Sequence, residues 1–367
     1  MKIAVFHELH NGGAKRAVTE IGRHLKETDV VDLYVSGQKP DKEEKASFRR
    51  VYSFPFASKV WRRGDWIAKL YKDTYEYVKL LNHHKKIAEK LNKGNYDLVF
   101  IHPSQFTQAP FILLFVKATR IYYCQEPLRI VYDKALNDLS HIHGARKAYE
   151  LAARTIRRVI DRVNLSRADY IFCNSEFSKD SINRAYGVKA RVKYLGVDHK
   201  FFKPSKAAKK VDVLYFGSHE RIEMYELFKN AIKGLPKRIK IHEHFPGHNW
   251  VSDESLRKMY QESKLVITLH KNEPFGLIPI EAASCGTITI ALDSGGHKES
   301  IIDGKTGYLI GQDQHALSNK LMSVLANDSR RKLMESQARA NVAERWTWEV
   351  SVKNIRKELL KIHEKKN

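Results

Sequence analysis

Cysteine is scarce in this chain. Cys124, Cys173 and Cys285 are three in 367 residues, far apart and without CxxC spacing, which argues against a disulfide framework or a structural zinc site. Long apolar runs are missing too: no stretch approaches the roughly 20 apolar residues that cross a bilayer. The start, Met1-Lys2-Ile3-Ala4-Val5-Phe6, lacks the long apolar run and small-residue cleavage site of a signal peptide and reads as a strand. The expectation is a protein made and kept in the cytoplasm. There is no short-period repeat and no low-complexity tract. Acidic residues are under-represented, 42 against 65 Lys and Arg, for a net charge of +23. Such a field favours a polyanionic partner, either nucleic acid or an anionic membrane face. Charge alone does not choose between them, and a merely soluble basic surface is the bland reading.

What is present is α/β patterning over a length suited to two domains. Hydrophobic content of 43% is ordinary for a globular chain. Short apolar runs at 3–6, 31–35, 51–54, 98–101, 121–124, 170–173 and 192–194 alternate with helical stretches, as in a parallel sheet buried on both faces. A turn, Pro204 and the lysine-rich 205–210 mark a boundary. A second series follows at 211–216, 239–245, 265–270, 288–292 and 308–310, and a helix over about 347–364 closes the chain. The expected domains are 1–200, joined by about 347–367, and 211–346.

The strongest local signal is Glu273-Pro274-Phe275-Gly276-Leu277-Ile278-Pro279-Ile280-Glu281, directly after the strand at 265–270. Pro274 and Gly276 predict a tight turn, with a helix starting near Leu277. Its first N–H groups lack intrahelical partners and carry the positive end of the dipole, which makes a seat for phosphate. Glu281 lies one turn in and leans back towards that end, within reach of a ribose hydroxyl pair. Glu273, on the loop, can face a sugar on the other side of a diphosphate. The bland alternative is two surface glutamates on an ordinary β–α turn.

The run from Glu273 to Thr287 resembles the E-x7-E motif of retaining glycosyltransferases of GT-B architecture, and of glycosyltransferase family four in particular. The likeness continues through Ser294-Gly295-Gly296-His297-Lys298-Glu299 and Asp303-Gly304-Lys305-Thr306-Gly307. It extends upstream to Ser252-Asp253-Glu254, with Ser252 as N-cap, to Asn174-Ser175-Glu176-Phe177, to Gly12-Gly13-Ala14-Lys15-Arg16, and to the closing Trp346-Thr347-Trp348-Glu349. The resemblance implies two Rossmann-like domains facing across a cleft, with the last helix returning to the first. It implies a nucleotide-sugar donor, GDP-mannose or a UDP-sugar, retention of configuration, no metal and no further cofactor. Glu281 would then bind the ribose and Glu273 the donor hexose, with backbone around Gly276, Leu277 and Ile278, beside Phe275, on the diphosphate. The Gly12-Gly13 loop would line the acceptor side, where small residues admit a ligand close to backbone.

Two departures stand out. Where most members of the family carry an Arg and a Lys to neutralise the leaving diphosphate, Ser218 and Glu223 stand here. Arg221, His219 and Lys271 are the candidates to compensate. Where a first-domain histidine is common, Tyr122-Tyr123-Cys124-Gln125-Glu126-Pro127 has Gln125, which can hydrogen-bond a hydroxyl but not take a proton. Glu273, Arg221 and Gln125 are thus the expected catalytic residues. His7, His10 and His102 follow strand ends and could line the cleft.

The basic surface concentrates in two stretches. From Lys59 to Lys93, ten Lys and Arg face four acids, interleaved with Trp61, Trp66, Tyr71, Tyr75 and Tyr77. From Arg146 to Arg167, the spacing of Arg154, Arg157, Arg158 and Arg162 places one positive stripe on a helix. Both suit docking on anionic lipid, on the inner face of a membrane, with a lipid-linked or surface-glycan acceptor. No nucleic-acid module accompanies the charge. The rival expectations are a catalytically silent nucleotide- or glycan-binding scaffold and a basic membrane-binding protein.

Overall fold

A computed structural model describes residues 1–58, 66–133, 136–140, 142–245 and 251–365, and the side chains of residues 66–68 and of Arg221 lie outside the described set. The chain forms two compact units. The first comprises Met1–Asn174, Lys179–Lys193 and Val352–Asn367; the second comprises Ser175–Ser178 and Tyr194–Ser351.

The first unit holds a seven-stranded, all-parallel sheet built from β1 (Lys2–Glu8), β2 (Val30–Gly37), β3 (Arg50–Pro55), β4 (Leu98–Ser104), β5 (Thr119–Tyr123), β6 (Tyr170–Cys173) and β7 (Arg191–Val192), in the order β3-β2-β1-β4-β5-β6-β7. Ile3 pairs with Val31 on one side and Leu98 on the other, so β1 is apolar on both faces, as a central parallel strand must be. Ala4, Phe6, Val99, Ile101 and Tyr122 meet Ile87, Leu91 and Ile182 from the covering helices. The order reverses between β1 and β4, and in open α/β sheets ligands bind outside the carboxyl ends at such a point. There the buried Glu8 accepts from Ser36 Oγ at 2.6 Å and Ser104 Oγ at 2.5 Å, with His84 Nε2 at 2.9 Å. Burial alone would raise its pKa, but His84 and the two hydroxyls outweigh that and hold it below the ordinary carboxylate range.

The second unit holds a five-stranded parallel sheet of β8 (Val211–Phe216), β9 (Ile241–His244), β10 (Ser263–Thr268), β11 (Ile288–Leu292) and β12 (Gly307–Ile310), in the order β12-β11-β10-β8-β9. Its reversal lies between β8 and β10, so the loops at 217–224 and 269–276 leave from that point.

The strands fall where the apolar runs place them, with ends shifted by up to three residues. The units part at Lys193 and Tyr194, well before the lysine-rich stretch that reads as the linker. The reason is local: Val197 N–H donates to Trp346 O at 2.8 Å, and Ser284 Oγ donates to Phe202 O at 2.5 Å. These bonds hold the segment after Tyr194 in the second unit. The last helix is Trp348–Glu364, and from Val352 onward it belongs to the first unit, where Arg356 Nε donates to Asp29 Oδ2 at 2.6 Å.

Candidate functional site

In the second unit, β10 leads into a loop that ends at Gly276 and starts the helix Leu277–Ser284. Gly276 has φ 87°, a left-handed conformation that glycine adopts without strain. A Cβ there would stand 2.8 Å from His297 Cδ2. Pro279 sits in the first turn, where the missing N–H costs nothing. The N-cap residue, Gly276, has no side chain to accept from the first N–H groups, and no acidic residue occupies the helix's first turn, so neither cap nor first turn offsets its positive end.

The loop is clamped from both sides. Lys271 N–H donates to Ile222 O at 2.8 Å, tying it to the loop after β8. Asn272 N–H donates to Ser294 Oγ at 3.0 Å, and Gly296 N–H to Glu273 O at 2.7 Å. The loop after β11 lies backbone against backbone on it. A Cβ on Gly295 would come 2.3 Å from Glu273 O, and one on Gly296 2.5 Å from Phe275 Cα. Two glycines in sequence are what this contact requires.

Glu273 stands 3.0 Å from His270 Nδ1, and His270 Nε2 is 3.7 Å from Glu223 Oε1. The structure thus assembles Glu223, His270 and Glu273 in a row. Sequence reasoning missed His270, because a histidine closing an apolar run reads as a polar strand end. Glu223, read only as an absent lysine, proves to be the outer member of this row.

Glu281 is 4% exposed and accepts from Tyr260 Oη at 3.0 Å. Tyr260 comes from the helix Asp253–Glu262, which Ser252 caps as expected by accepting from Ser255 N–H at 3.3 Å. Its ring centroid lies 6.1 Å from Phe216 and 6.3 Å from Phe202, and His244 lies 4.7 Å from Phe216. The carboxylate of Glu281 therefore sits beside a cluster of planar rings at the carboxyl ends of β8 and β9. Glu299 accepts from the N–H groups of Glu176 and Phe177, both at 2.9 Å, which gives it a capping role within this unit.

Of the compensating cations, Arg221 lies in a short 3-10 turn and its side chain is outside the described residues. The His219 ring stacks on Phe245 at 4.6 Å and meets Tyr225 edge-on at 4.6 Å. Lys271 is partly buried in the clamped loop.

His297, beneath Gly276, is 1% exposed, and burial pushes its pKa down to about 4, with His270 adding to the fall and Glu273 opposing it. The folded state therefore keeps it neutral while the unfolded chain takes up a proton below its ordinary value near 6.5. Stability from this group is present above pH 6.5 and lost as pH falls towards 4, about 3 kcal/mol across that window. Urea unfolding at stepped pH should show this loss, and His297→Gln should flatten it.

In the first unit, Gly12 precedes the helix Gly13–Leu25. Lys15 on that helix is held by Asp41 at 2.7 Å and Glu44 at 3.1 Å. His7 is buried against Glu44 at 2.7 Å, and His102 is fully buried among Phe100 and Tyr123. Of the three histidines, His10 lines a cavity of about 520 Å³, with Gln38, Phe56, Gln105, Tyr77 and Arg157. Gln38, Phe56 and Gln105 each follow a strand and carry no motif to mark them. Gln125 is half-buried just beyond β5.

The positive stripe on the helix Gly144–Leu165 is partly turned inward. Arg157 pairs with Asp73, Arg154 Nη1 donates to Asn137 Oδ1 at 2.7 Å, and Arg162 Nη1 donates to Ala185 O at 2.7 Å. Trp61 lies outside the described residues, as does the Trp66 side chain. Among the described residues no helix is long and apolar enough to cross a membrane.

Residues 228–341 match the family model of glycosyl transferases group 1. The chain is 35% identical over 103 residues to the D-inositol 3-phosphate glycosyltransferase of Corynebacterium urealyticum, covering 28% of this chain and 24% of that one. It is 38% identical over 100 residues to the enzyme of the same name from Gordonia bronchialis, covering 26% and 21%. The chain thus spans about a quarter of the length of the curated relatives it matches. Among solved structures it resembles sucrose-phosphate synthase from Thermosynechococcus elongatus, with TM-score 0.75, 16% identity and 99% of each chain covered. It also resembles Anabaena Alr3699/HepE in complex with UDP-glucose, with TM-score 0.70, 15% identity and coverage of 98% and 100%. The fold is GT-B, two Rossmann-like α/β units. Residues 11–201, more than half of the chain, match the model of Glycosyltransferase Family 4, and the chain belongs to that family.

Proposed function

We propose that this protein moves a hexose from a nucleotide-sugar to a lipid-linked or surface-glycan acceptor, retaining the anomeric configuration and using no metal. The observation that carries the reading is the helix start at Leu277 with glycine at its N-cap, at the reversal point of the second sheet, with Glu273 before it and the buried Glu281 one turn in. In this reading Glu281 accepts from the ribose hydroxyls and the nearby rings take the base. The N–H groups of Leu277 and Ile278 hold the diphosphate, and Glu273 holds the hexose. The leaving diphosphate is stabilised by the helix dipole and by nearby cations, with Lys271 and Arg221 as candidates. The likeness to a structure carrying UDP-glucose favours a nucleotide-sugar donor. GDP-mannose and UDP-sugars are the donors to test first.

The test is turnover of labelled GDP-mannose and UDP-hexoses with membrane extract as acceptor source. Transfer into the lipid or glycan fraction supports the reading. A second reading, a catalytically silent nucleotide binder, is favoured by Glu223 standing in place of a cation beside His270. It predicts nucleotide binding with no turnover of any donor.

A further inference from the structure

The cavity of about 520 Å³ in the first unit takes its wall from four strand ends and two helices. His10 follows β1, Gln38 follows β2, Phe56 follows β3 and Gln105 follows β4. The buried Glu8 ties three of these ends together, because it closes β1 and accepts from Ser36 on β2 and Ser104 on β4. It also meets His84 of the helix Tyr75–Asn92, which lends Glu76 and Tyr77 to the cavity. Arg157 comes from the helix Gly144–Leu165.

Two residues of this wall carry a buried polar atom that is unmet. Glu76 is 6% exposed, yet its Oε1 has no hydrogen-bond partner among the described residues. Arg157 pairs with Asp73 through Nη2, but its buried Nε has no partner there either. Such atoms are unfavourable until something meets them. A carboxylate only accepts and a guanidinium only donates, whereas a hydroxyl does both. Neighbouring hydroxyls on one ring can therefore satisfy the two together. Phe56 and Phe106, whose rings meet edge to face at 5.3 Å, both line the cavity and offer an aromatic face to the C–H groups of such a ring.

The charges of the wall select against an anion. Asp73 neutralises Arg157, and Lys72 is exposed to water. The uncompensated charge is that of Glu76, and a phosphate brought beside it would place like charges together. We infer that this cavity binds an uncharged, hydroxyl-rich ring, with Glu76 accepting from one hydroxyl and Arg157 donating to another, and that Glu76 turns away rings that carry a phosphate. That the ring belongs to the acceptor rests on the transferase reading; the binding itself does not. In the sequence Glu76 is one of four acids among ten Lys and Arg between Lys59 and Lys93. Its place in a cavity wall emerges only from the fold.

The test is titration of the full chain, followed by ligand-observed NMR, with the methyl glycosides of glucose, mannose and galactose and with the same glycosides phosphorylated at O6, no nucleotide being present. At least one methyl glycoside should bind, and its phosphorylated counterpart at least about tenfold more weakly. Glu76→Ala should lower the affinity for the neutral ring about tenfold, the cost of one lost charge-assisted hydrogen bond. Glu76→Gln keeps the shape without the charge and should narrow the gap between neutral and phosphorylated rings, with an unchanged melting temperature. Arg157→Lys keeps a cation beside Asp73 without the Nε donor and should also weaken the neutral ring. Failure of every methyl glycoside to bind, equal binding of the phosphorylated rings, or unchanged affinity in both Glu76→Ala and Arg157→Lys overturns the inference. A chain that binds the ring through Glu76 but binds no nucleotide supports it and removes the donor reading instead.

Discussion

Glu273→Ala is expected to lower turnover of the nucleotide-sugar about 10²–10³-fold, the usual cost of removing one preorganised polar contact to the reacting group. The loss should fall on kcat more than on KM, because a contact to the hexose strengthens as the sugar departs from the diphosphate. Fold stability should change little, since the side chain is 28% exposed and its partner His270 has a second carboxylate, Glu223, at 3.7 Å. Glu273→Gln keeps hydrogen-bonding capacity without the charge and should fall between the two. Steady-state kinetics with the donor varied, alongside thermal melts, checks each statement. A variant with wild-type kcat would remove Glu273 from the site.

Gly295→Ala should be nearly as damaging although it removes no group proposed to contact substrate. The added Cβ would meet Glu273 O at 2.3 Å and Glu273 N at 2.6 Å, both backbone atoms, and the residue has φ 65°. The left-handed conformation costs an alanine roughly 1–2 kcal/mol. Restoring ordinary contact requires the Glu273 loop to shift by about 1 Å, a displacement that costs on the order of 10²-fold in rate when it misplaces a reacting group. Turnover should therefore fall by that order and the melting temperature should drop by several degrees. If both changes act through the same carboxylate, the double variant Gly295→Ala/Glu273→Ala should be little slower than Glu273→Ala alone. Additive losses would show that Gly295 serves something else.

Much of this site is legible in the amino-acid sequence. The turn at Pro274 and Gly276, the helix start at Leu277 and the Ser252 cap follow from local backbone chemistry, which depends on a few adjacent residues. The strands are legible because a parallel sheet buries both faces and leaves continuous apolar runs. What stays hidden depends on contacts distant in sequence. Nothing adjacent to His270 announces that Glu223, on another loop, will lie 3.7 Å from it. The arginine spacing on Gly144–Leu165 gives a stripe correctly, but whether Arg157 faces water or Asp73 is decided by the helix packed beside it. The unit boundary at Tyr194 escapes for the same reason: the turn and lysines after Asp198 look like a linker, while hydrogen bonds to Trp346 and Ser284 fix that segment in place.

The central claim is that the helix start at Leu277 and the two glutamates around it seat a nucleotide-sugar. Its most direct test is isothermal titration of UDP, GDP and their hexose conjugates into the intact chain and into Glu281→Ala. The account predicts binding of one nucleoside diphosphate series by the wild type, and a loss of about 10-fold or more when the buried carboxylate no longer meets the ribose hydroxyls. No binding of either series, or equal binding by wild type and Glu281→Ala, would contradict it.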